Sequence, residues 1–376
     1  MSGTATIAAV TRFGEPLELL EVERPAPEPG ALVVEMDCAT ICGSDVHHWE
    51  GEYAEVFGTE PPLCSGHEGV GRVIEIGAGA ELDSIGQPLA LGDRVVWEHA
   101  PCGQCYECRV LHDPVLCTNR TTGLWRKTTE FPHIAATFGT HSYVWPKAGR
   151  LRVPEGVRSD WASGASCAMR TVVAGIEKLG GVEPTETVVI QGVGPLGLFA
   201  VALMSLRSPR RIIAIGAPDD RLEVARRWGA TETISIADHP SQEARREAVQ
   251  ELTGGRGADI VCEFAGVPGA VGETFDLAAR GGRCLVIGTA AGPPQPIVAH
   301  QITLKQLTVH GSFSGRIDHY WKSFQLMKRY ADRFDWDLVL SGRYRLDQIT
   351  EALESMKRGA EIKPVILTQE LGQAGS

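Results

Sequence analysis

The run Glu186-Thr187-Val188-Val189-Ile190-Gln191-Gly192-Val193-Gly194-Pro195-Leu196-Gly197 decides the fold. Glu186 to Ile190 reads as a short apolar strand. Gly192, Gly194 and Gly197 then form a G-x-G-x-x-G turn that opens a helical stretch, Leu198 to Leu206. A plain glycine-rich strand-helix turn is the simpler reading, and the motif alone is weak. Its position directly after a strand and at the start of a helix makes it informative. The first glycine permits the tight turn, the second lets a pyrophosphate approach the backbone, and the third lets helix and strand pack closely. The anion then sits at the helix N-terminus, where free N–H groups and the dipole favour it. Further on, Arg211 to Ile215, Asp259 to Phe264 and Arg283 to Ile287 read as strands, with Arg221 to Trp228 as a helix between them. This alternation predicts an α/β region over 166–311 built on a doubly wound parallel sheet, a Rossmann dinucleotide-binding domain.

The second strand of that sheet ends in Gly216-Ala217-Pro218, where a carboxylate would bind the ribose 2′-OH of NAD. Gly216 removes that contact together with its repulsion of a 2′-phosphate, yet no Arg follows immediately to bind such a phosphate. Asp219 and Asp220 read as helix-capping residues. Arg221 reads as a solvated helix-face residue that can reach the adenosine end. NAD and NADP both stay open.

On either side the texture differs. Residues 1–165 are β-rich, with strands at Val33 to Asp37 and Val70 to Ile76, and residues 312–376 are mixed, with a helix at Ile349 to Met356 and a closing strand at Pro364 to Leu367. The tail from Gln369 to Ser376 is expected to fray. A chain of 376 residues that is 43% apolar and 22% charged suits two ordinary globular cores. A formal net charge of −11 argues against nucleic acid and for a small substrate. No apolar run long enough for a membrane span and no signal peptide are visible, so the cytoplasm is the expected location and no membrane partner is expected.

Of the ten cysteines, four crowd together: Cys102, Cys105, Cys108 and Cys117. Their spacing is a strong tetrathiolate signal, a closed structural zinc site in a lobe over 98–120. A second constellation is dispersed: Cys42-Gly43-Ser44-Asp45-Val46-His47, then Gly66-His67-Glu68, then Cys167. Catalytic zinc takes three protein ligands and keeps one open position, which Cys42, His67 and Cys167 can supply. Asp45 is then the acceptor that fixes the His67 tautomer. On spacing alone, a structural histidine and a core cysteine explain His67 and Cys167 better. Cys38, Cys64, Cys262 and Cys284 lack motif partners and read as buried thiols.

These residues resemble the zinc-containing medium-chain dehydrogenases: liver-type alcohol, sorbitol (polyol) and threonine dehydrogenases. The resemblance spans nearly the whole chain and is most specific at Gly66-His67-Glu68 followed by Gly71 and Gly77. It implies a GroES-like catalytic domain, split in sequence around the Rossmann domain, two zincs per chain and NAD or NADP. It implies that Cys42, His67 and Cys167 bind the catalytic zinc, with Glu68 as an alternate ligand. Ser44 and His47 would pass the alcohol proton outward, and Thr171 and Lys363 match family positions at the cofactor. An ordinary surface lysine explains Lys363 as well. The continuation His48-Trp49-Glu50 is closest to the polyol branch, whereas Cys167 matches the alcohol branch, since polyol and threonine enzymes place Glu there. The implied activity is hydride transfer between NAD(P) and a secondary alcohol or polyol, or its ketone. Primary or aromatic alcohols and amino alcohols are the alternatives, and the family expectation for assembly is a homodimer or homotetramer. Trp49, Tyr53, Glu98, His99 and Trp125 are pocket candidates, with Glu50 and Arg316 as further polar candidates. Packing explains each aromatic as well, and His48 reads as structural.

Overall fold

The computed structural model describes residues 3–288 and 296–369. It divides into two compact units, Met1–Arg170 with Gly315–Ser376, and Thr171–Ser314. The borders fall at 170/171 and 314/315 rather than at the 165/166 and 311/312 read from the sequence. The reason is local: the segment bearing Cys167 packs within the first unit, and Arg170 closes it by donating from Nη1 to the Gly315 carbonyl (2.5 Å).

The second unit is a six-stranded, all-parallel sheet. Its spatial order is Glu232–Ser235, Arg211–Gly216, Thr187–Gln191, Ala258–Glu263, Ala278–Val286 and Thr308–Gly311. Every residue of the central strand, Thr187–Gln191, is buried. A strand covered by helices on both faces needs continuous rather than alternating apolarity, and Val188-Val189-Ile190 provides it. The order reverses at this strand, where the chain turns through Gly192 into the helix Pro195–Ser205. That is the crevice position at which open parallel sheets bind nucleotides. Gly192 has φ +93°, a Cβ on Gly197 would lie 1.8 Å from the Gly192 carbonyl oxygen, and one on Gly194 would meet nothing within 4 Å. So Gly192 makes the turn, Gly197 permits the close packing, and Gly194 leaves an open approach.

The first unit holds a seven-stranded sheet and a three-stranded sheet. In the larger one, Leu32–Thr40 pairs antiparallel with Gly69–Ile76, and Val365–Leu367 adds to its other side. Six of the nine residues of Leu32–Thr40 belong to Leu, Val, Met, Cys and Ala, and its side chains feed apolar clusters around Val34, Met36 and Val73 and around Ala39, Ile41 and Ile366. The helices Gly43–Glu50 and Ile349–Lys357 pack together there, with Val46, Trp49, Ile349 and Leu353 in one cluster. Gln369 is anchored, donating from Nε2 to the Met36 and Thr140 carbonyls (3.0 and 2.7 Å), contrary to the expected fraying. The rest of that tail, 370–376, lies outside the described residues. No described helix is long and apolar enough to cross a membrane.

Candidate metal centre and cofactor turn

Strand register brings the dispersed constellation together. Ala39 lies opposite Gly69, and the Thr40 N–H donates to the Glu68 carbonyl (3.3 Å), so Cys42 and His67 emerge side by side just past the paired ends. Cys42 stands at the start of the helix Gly43–Glu50. His67 follows Gly66, whose φ of +89° and lack of Cβ are both required: a Cβ would lie 2.6 Å from the Phe138 ring. Cys167 sits in the π-helical turn Ala165–Met169, the kind of irregularity that collects at functional sites. One ligand atom from each of Cys42, His67, Glu68 and Cys167 lies within 4.8 Å of the others.

Asp45 stands behind this cluster, fully buried. Its Oδ1 is 2.9 Å from His67 Nδ1, and its Oδ2 accepts from the Cys42 N–H at 2.8 Å. The sharing of Nδ1 with a carboxylate leaves Nε2 of His67 free to act as a ligand. Burial disfavours the His67 cation, but the Asp45 charge beside it prevails and raises its pKa well above the ordinary value. The Cys167 thiol is pushed well down, first by a hydrogen bond with Cys42 and then by His67, the direction a ligating thiol needs.

Glu68 differs from the other three. Its Oε2 accepts from the Thr40 hydroxyl (2.5 Å) and lies 2.6 Å from Lys363 Nζ, and Oε1 accepts from the same ammonium at 2.8 Å. Burial pushes Glu68 up to about 7, with Lys363 opposing. Lys363 is therefore neither a surface lysine nor free for a cofactor phosphate. It is fully buried, its charge spent on Glu68 and on the Ile41 carbonyl.

The remaining sequence candidates separate cleanly. Ser44 is half-buried on the first turn after Cys42, and His47 is exposed, its Nδ1 2.8 Å from Glu52 Oε2. Trp49 is core: it is buried among Ile349 and Leu353, and its Nε1 donates to the Glu15 carbonyl (2.6 Å). Glu50 is ion-paired to Lys357, so both residues serve helix packing and not a pocket. Tyr53, Phe57 and Trp125 form one ring cluster, with Phe57 stacked on Trp125 at 4.1 Å. His48 is buried and close to the Cys64 carbonyl (3.3 Å), and burial pushes its pKa down to about 4. Arg316 is bidentate to Asp318 at the start of the helix Ile317–Arg329. Glu98 and His99 line a cavity beside His67, together with Arg170, Thr137, Trp145 and Tyr320. Arg170 belongs to no sequence motif, although its position three residues after Cys167 puts it about one turn along the same helix face.

A second cluster is compact. Sγ of Cys105 lies 3.4 Å from that of Cys108 and 3.8 Å from that of Cys117, and the ligand atoms of all four lobe cysteines fall within 4.8 Å of one another. The Cys102 N–H points at Cys117 Sγ (3.3 Å), as backbone donors do around bound thiolates. Cys38, Cys64, Cys262 and Cys284 are buried thiols. In the second unit, Gly216 closes its strand with no room for a side chain, since a Cβ would meet Val193 Cγ2 at 2.3 Å. Asp219 and Asp220 fall in the first turn of the next helix rather than at its cap, which is Pro218. Asp219 accepts from Ser235, and Arg221 is partly buried beside Asp220. Thr171 opens this unit with its hydroxyl buried and without a hydrogen-bond partner among the described residues.

Comparison with known proteins agrees with both halves. Residues 28–149 match the alcohol dehydrogenase GroES-like domain, and residues 195–329 match the zinc-binding dehydrogenase domain. The chain is 35% identical to a 5-exo-hydroxycamphor dehydrogenase of Pseudomonas putida, covering 96% of this chain and 98% of that one. It is 29% identical to an L-threonine 3-dehydrogenase of Pyrococcus horikoshii over 95% and 97% of the two chains. Among solved structures, an alcohol dehydrogenase of Thermotoga maritima superposes with a TM-score of 0.88 at 32% identity, covering 97% of this chain and 99% of the other.

Proposed function

The chain belongs to the zinc-binding, GroES-like alcohol dehydrogenase family, and on that premise we propose that it oxidises a secondary alcohol or polyol to the matching ketone. The family makes it an NAD(P)-dependent oxidoreductase acting on alcohols. The observation that carries the zinc-dependent alcohol chemistry is the convergence of Cys42, His67 and Cys167 with Asp45 directly behind them. Two thiols and an imidazole form the donor set zinc prefers where an open position is kept for chemistry. Zinc held there supplies Lewis acidity toward the substrate oxygen. Asp45 holds the ring of His67 and the backbone of Cys42 in one geometry. Ser44 would relay the alcohol proton, releasing its own hydroxyl proton as it accepts that of the substrate, and exposed His47, backed by Glu52, would hand a proton to solvent. Glu68 is kept back from the ligand role by Lys363 and Thr40.

The four-cysteine lobe holds a second zinc with no open position, and that ion serves the fold. Gly192, Gly194 and Gly197 seat the pyrophosphate of NAD or NADP. The names of both relatives point to alcohols on inner carbons, a hydroxycamphor and the 3-position of threonine, and this favours secondary over primary alcohols. Assembly as a homodimer or homotetramer in the cytoplasm completes the proposal. The test is a panel of polyols, secondary alcohols, amino alcohols and primary or benzylic alcohols, each with NAD and NADP and read by absorbance of the reduced cofactor. Best turnover of ethanol, hexanol or benzyl alcohol overturns the secondary-alcohol reading.

A further inference from the structure

The cavity beside His67 is partly open to solvent and contains a built-in donor that no described residue neutralises at contact distance. Arg170 is 5% exposed. Its guanidinium is fixed from behind: Nε donates to the Ser166 carbonyl, Nη1 donates to the Gly315 carbonyl, and Cζ lies 4.7 Å from the centre of the Tyr320 ring. Tyr320 is itself pinned by its hydroxyl, which donates to the Trp97 carbonyl at 3.0 Å. Among the described residues, Nη2 has no hydrogen-bond partner and no carboxylate forms an ion pair with the guanidinium. A buried charge is normally paired, and one held rigid and unpaired at a cavity wall is placed to meet a ligand.

Glu98 lines the same cavity. It is too far from Arg170 for an ion pair, yet near enough for the Arg170 field to act against the burial that pushes its pKa up to about 7. A fixed donor and a fixed acceptor thus face one space without touching each other. Thr137 and Trp145 line the space too, and their Oγ1 and Nε1 atoms are buried without a hydrogen-bond partner among the described residues. Orphaned polar groups are costly unless something fills the cavity and satisfies them. A hydroxyl is the neutral group that accepts and donates at once. A carboxylate would satisfy Arg170 but has no hydrogen to donate to Glu98.

We propose that Arg170 determines substrate specificity by donating to a second hydroxyl of the substrate, beyond the reacting carbinol, while Glu98 accepts that hydroxyl's hydrogen. The substrate class is then a diol or polyol. This rests on the alcohol-oxidising reading above and adds the residue that selects among alcohols.

The test uses zinc-loaded enzyme and three four-carbon substrates: 2,3-butanediol, 2-butanol and 3-hydroxybutyrate. The wild type is expected to prefer the diol over the mono-alcohol by about 100-fold or more in kcat/KM, because a site built for a hydroxyl rejects the analogue lacking it. Arg170→Met collapses that ratio to about 10-fold or less, and Arg170→Lys keeps part of it. Glu98→Gln retains shape and packing and lowers the ratio by about 10-fold, which keeps the test decisive should Arg170→Met fail to fold. Diol titrated against Trp fluorescence is expected to show the same order of affinities without turnover. Equal loss on diol and mono-alcohol in the variants makes Arg170 a purely structural residue and overturns the proposal. So does a wild-type preference for the hydroxy acid, or none for the diol. If zinc-loaded wild type turns over no alcohol at all, the alcohol-oxidising reading fails and this proposal falls with it.

Discussion

Replacing Asp45 by Asn tests the metal centre at a residue that touches no metal. Asp45 accepts two hydrogen bonds with two oxygens, from His67 Nδ1 and from the Cys42 N–H. Asn has one oxygen and one NH₂. If its oxygen serves His67, its NH₂ faces the Cys42 N–H; if it serves Cys42, the NH₂ faces a ring nitrogen that must then give up its proton, which moves the tautomer onto the ligand atom. In the first case one contact becomes donor against donor, and in the second the ligand nitrogen of His67 carries the proton, both beside a side chain that is fully buried. Losing a charge-assisted hydrogen bond and leaving a buried donor unpaired costs about 2–4 kcal/mol. Loss of the carboxylate behind a ligating histidine lowers zinc affinity about 10–100-fold. The assay is zinc release to a chromophoric chelator. Wild type is expected to release zinc in two phases, and Asp45→Asn should shift only the weaker one, with the fold kept by circular dichroism. Superimposable release curves would refute the argument that Asp45 organises the centre.

Metal analysis of wild type should give two zincs per chain, and Cys105→Ser should remove one and reduce soluble yield, since a structural site couples to folding. Lys363→Met leaves Glu68 buried beside an apolar side chain and should cost about 3–5 kcal/mol in denaturant unfolding, while the double variant with Glu68→Gln recovers most of it; a neutral single variant contradicts the ion pair. Gly216→Asp alone should impair both cofactors because its Cβ collides with Val193, and pairing it with Val193→Ala should restore NAD use and depress NADP use, read as kcat/KM for each. His48 has a folded pKa of about 4 against 6.5 when unfolded, so the folded state binds fewer protons and stability present above pH 6.5 is lost as pH falls toward 4, by about 3 kcal/mol; His48→Gln should flatten that limb of the stability-pH curve.

The Rossmann unit was legible because its signals are local. One strand, one glycine turn and one helix sit within 20 residues, and each following strand is a short apolar run bounded by turns. The tetrathiolate lobe was legible for the same reason, since four cysteines within 16 residues need only a short loop to converge. Domain borders were displaced by a few residues because no breaker marks them. The helical run continues from Ser159 through the π-turn to Lys178, and only the docking of Arg170 on Gly315 divides it.

The dispersed centre was legible only by resemblance, because its geometry depends on pairing between residues 32–40 and 69–76, which no local spacing reveals. The misread residues share a physical cause. Lys363, Trp49 and Glu50 were assigned from type and position, and each finds its partner far along the chain: Glu68 is 295 residues from Lys363, and Lys357 is 307 from Glu50. A lysine is among the residues least often buried unless paired, so a sequence reader places it at the surface or on a phosphate. Once buried, however, it must be paired, and the nearest carboxylate is the one adjoining the ligand His67. That pairing changes what Glu68 can do. A free carboxylate next to two thiols and an imidazole would compete for the metal, whereas one shared between an ammonium and the Thr40 hydroxyl has its lone pairs already engaged. On the proposed function, the pairing of Lys363 with Glu68 would leave Cys42, His67 and Cys167 to hold the zinc and a fourth position for the substrate oxygen.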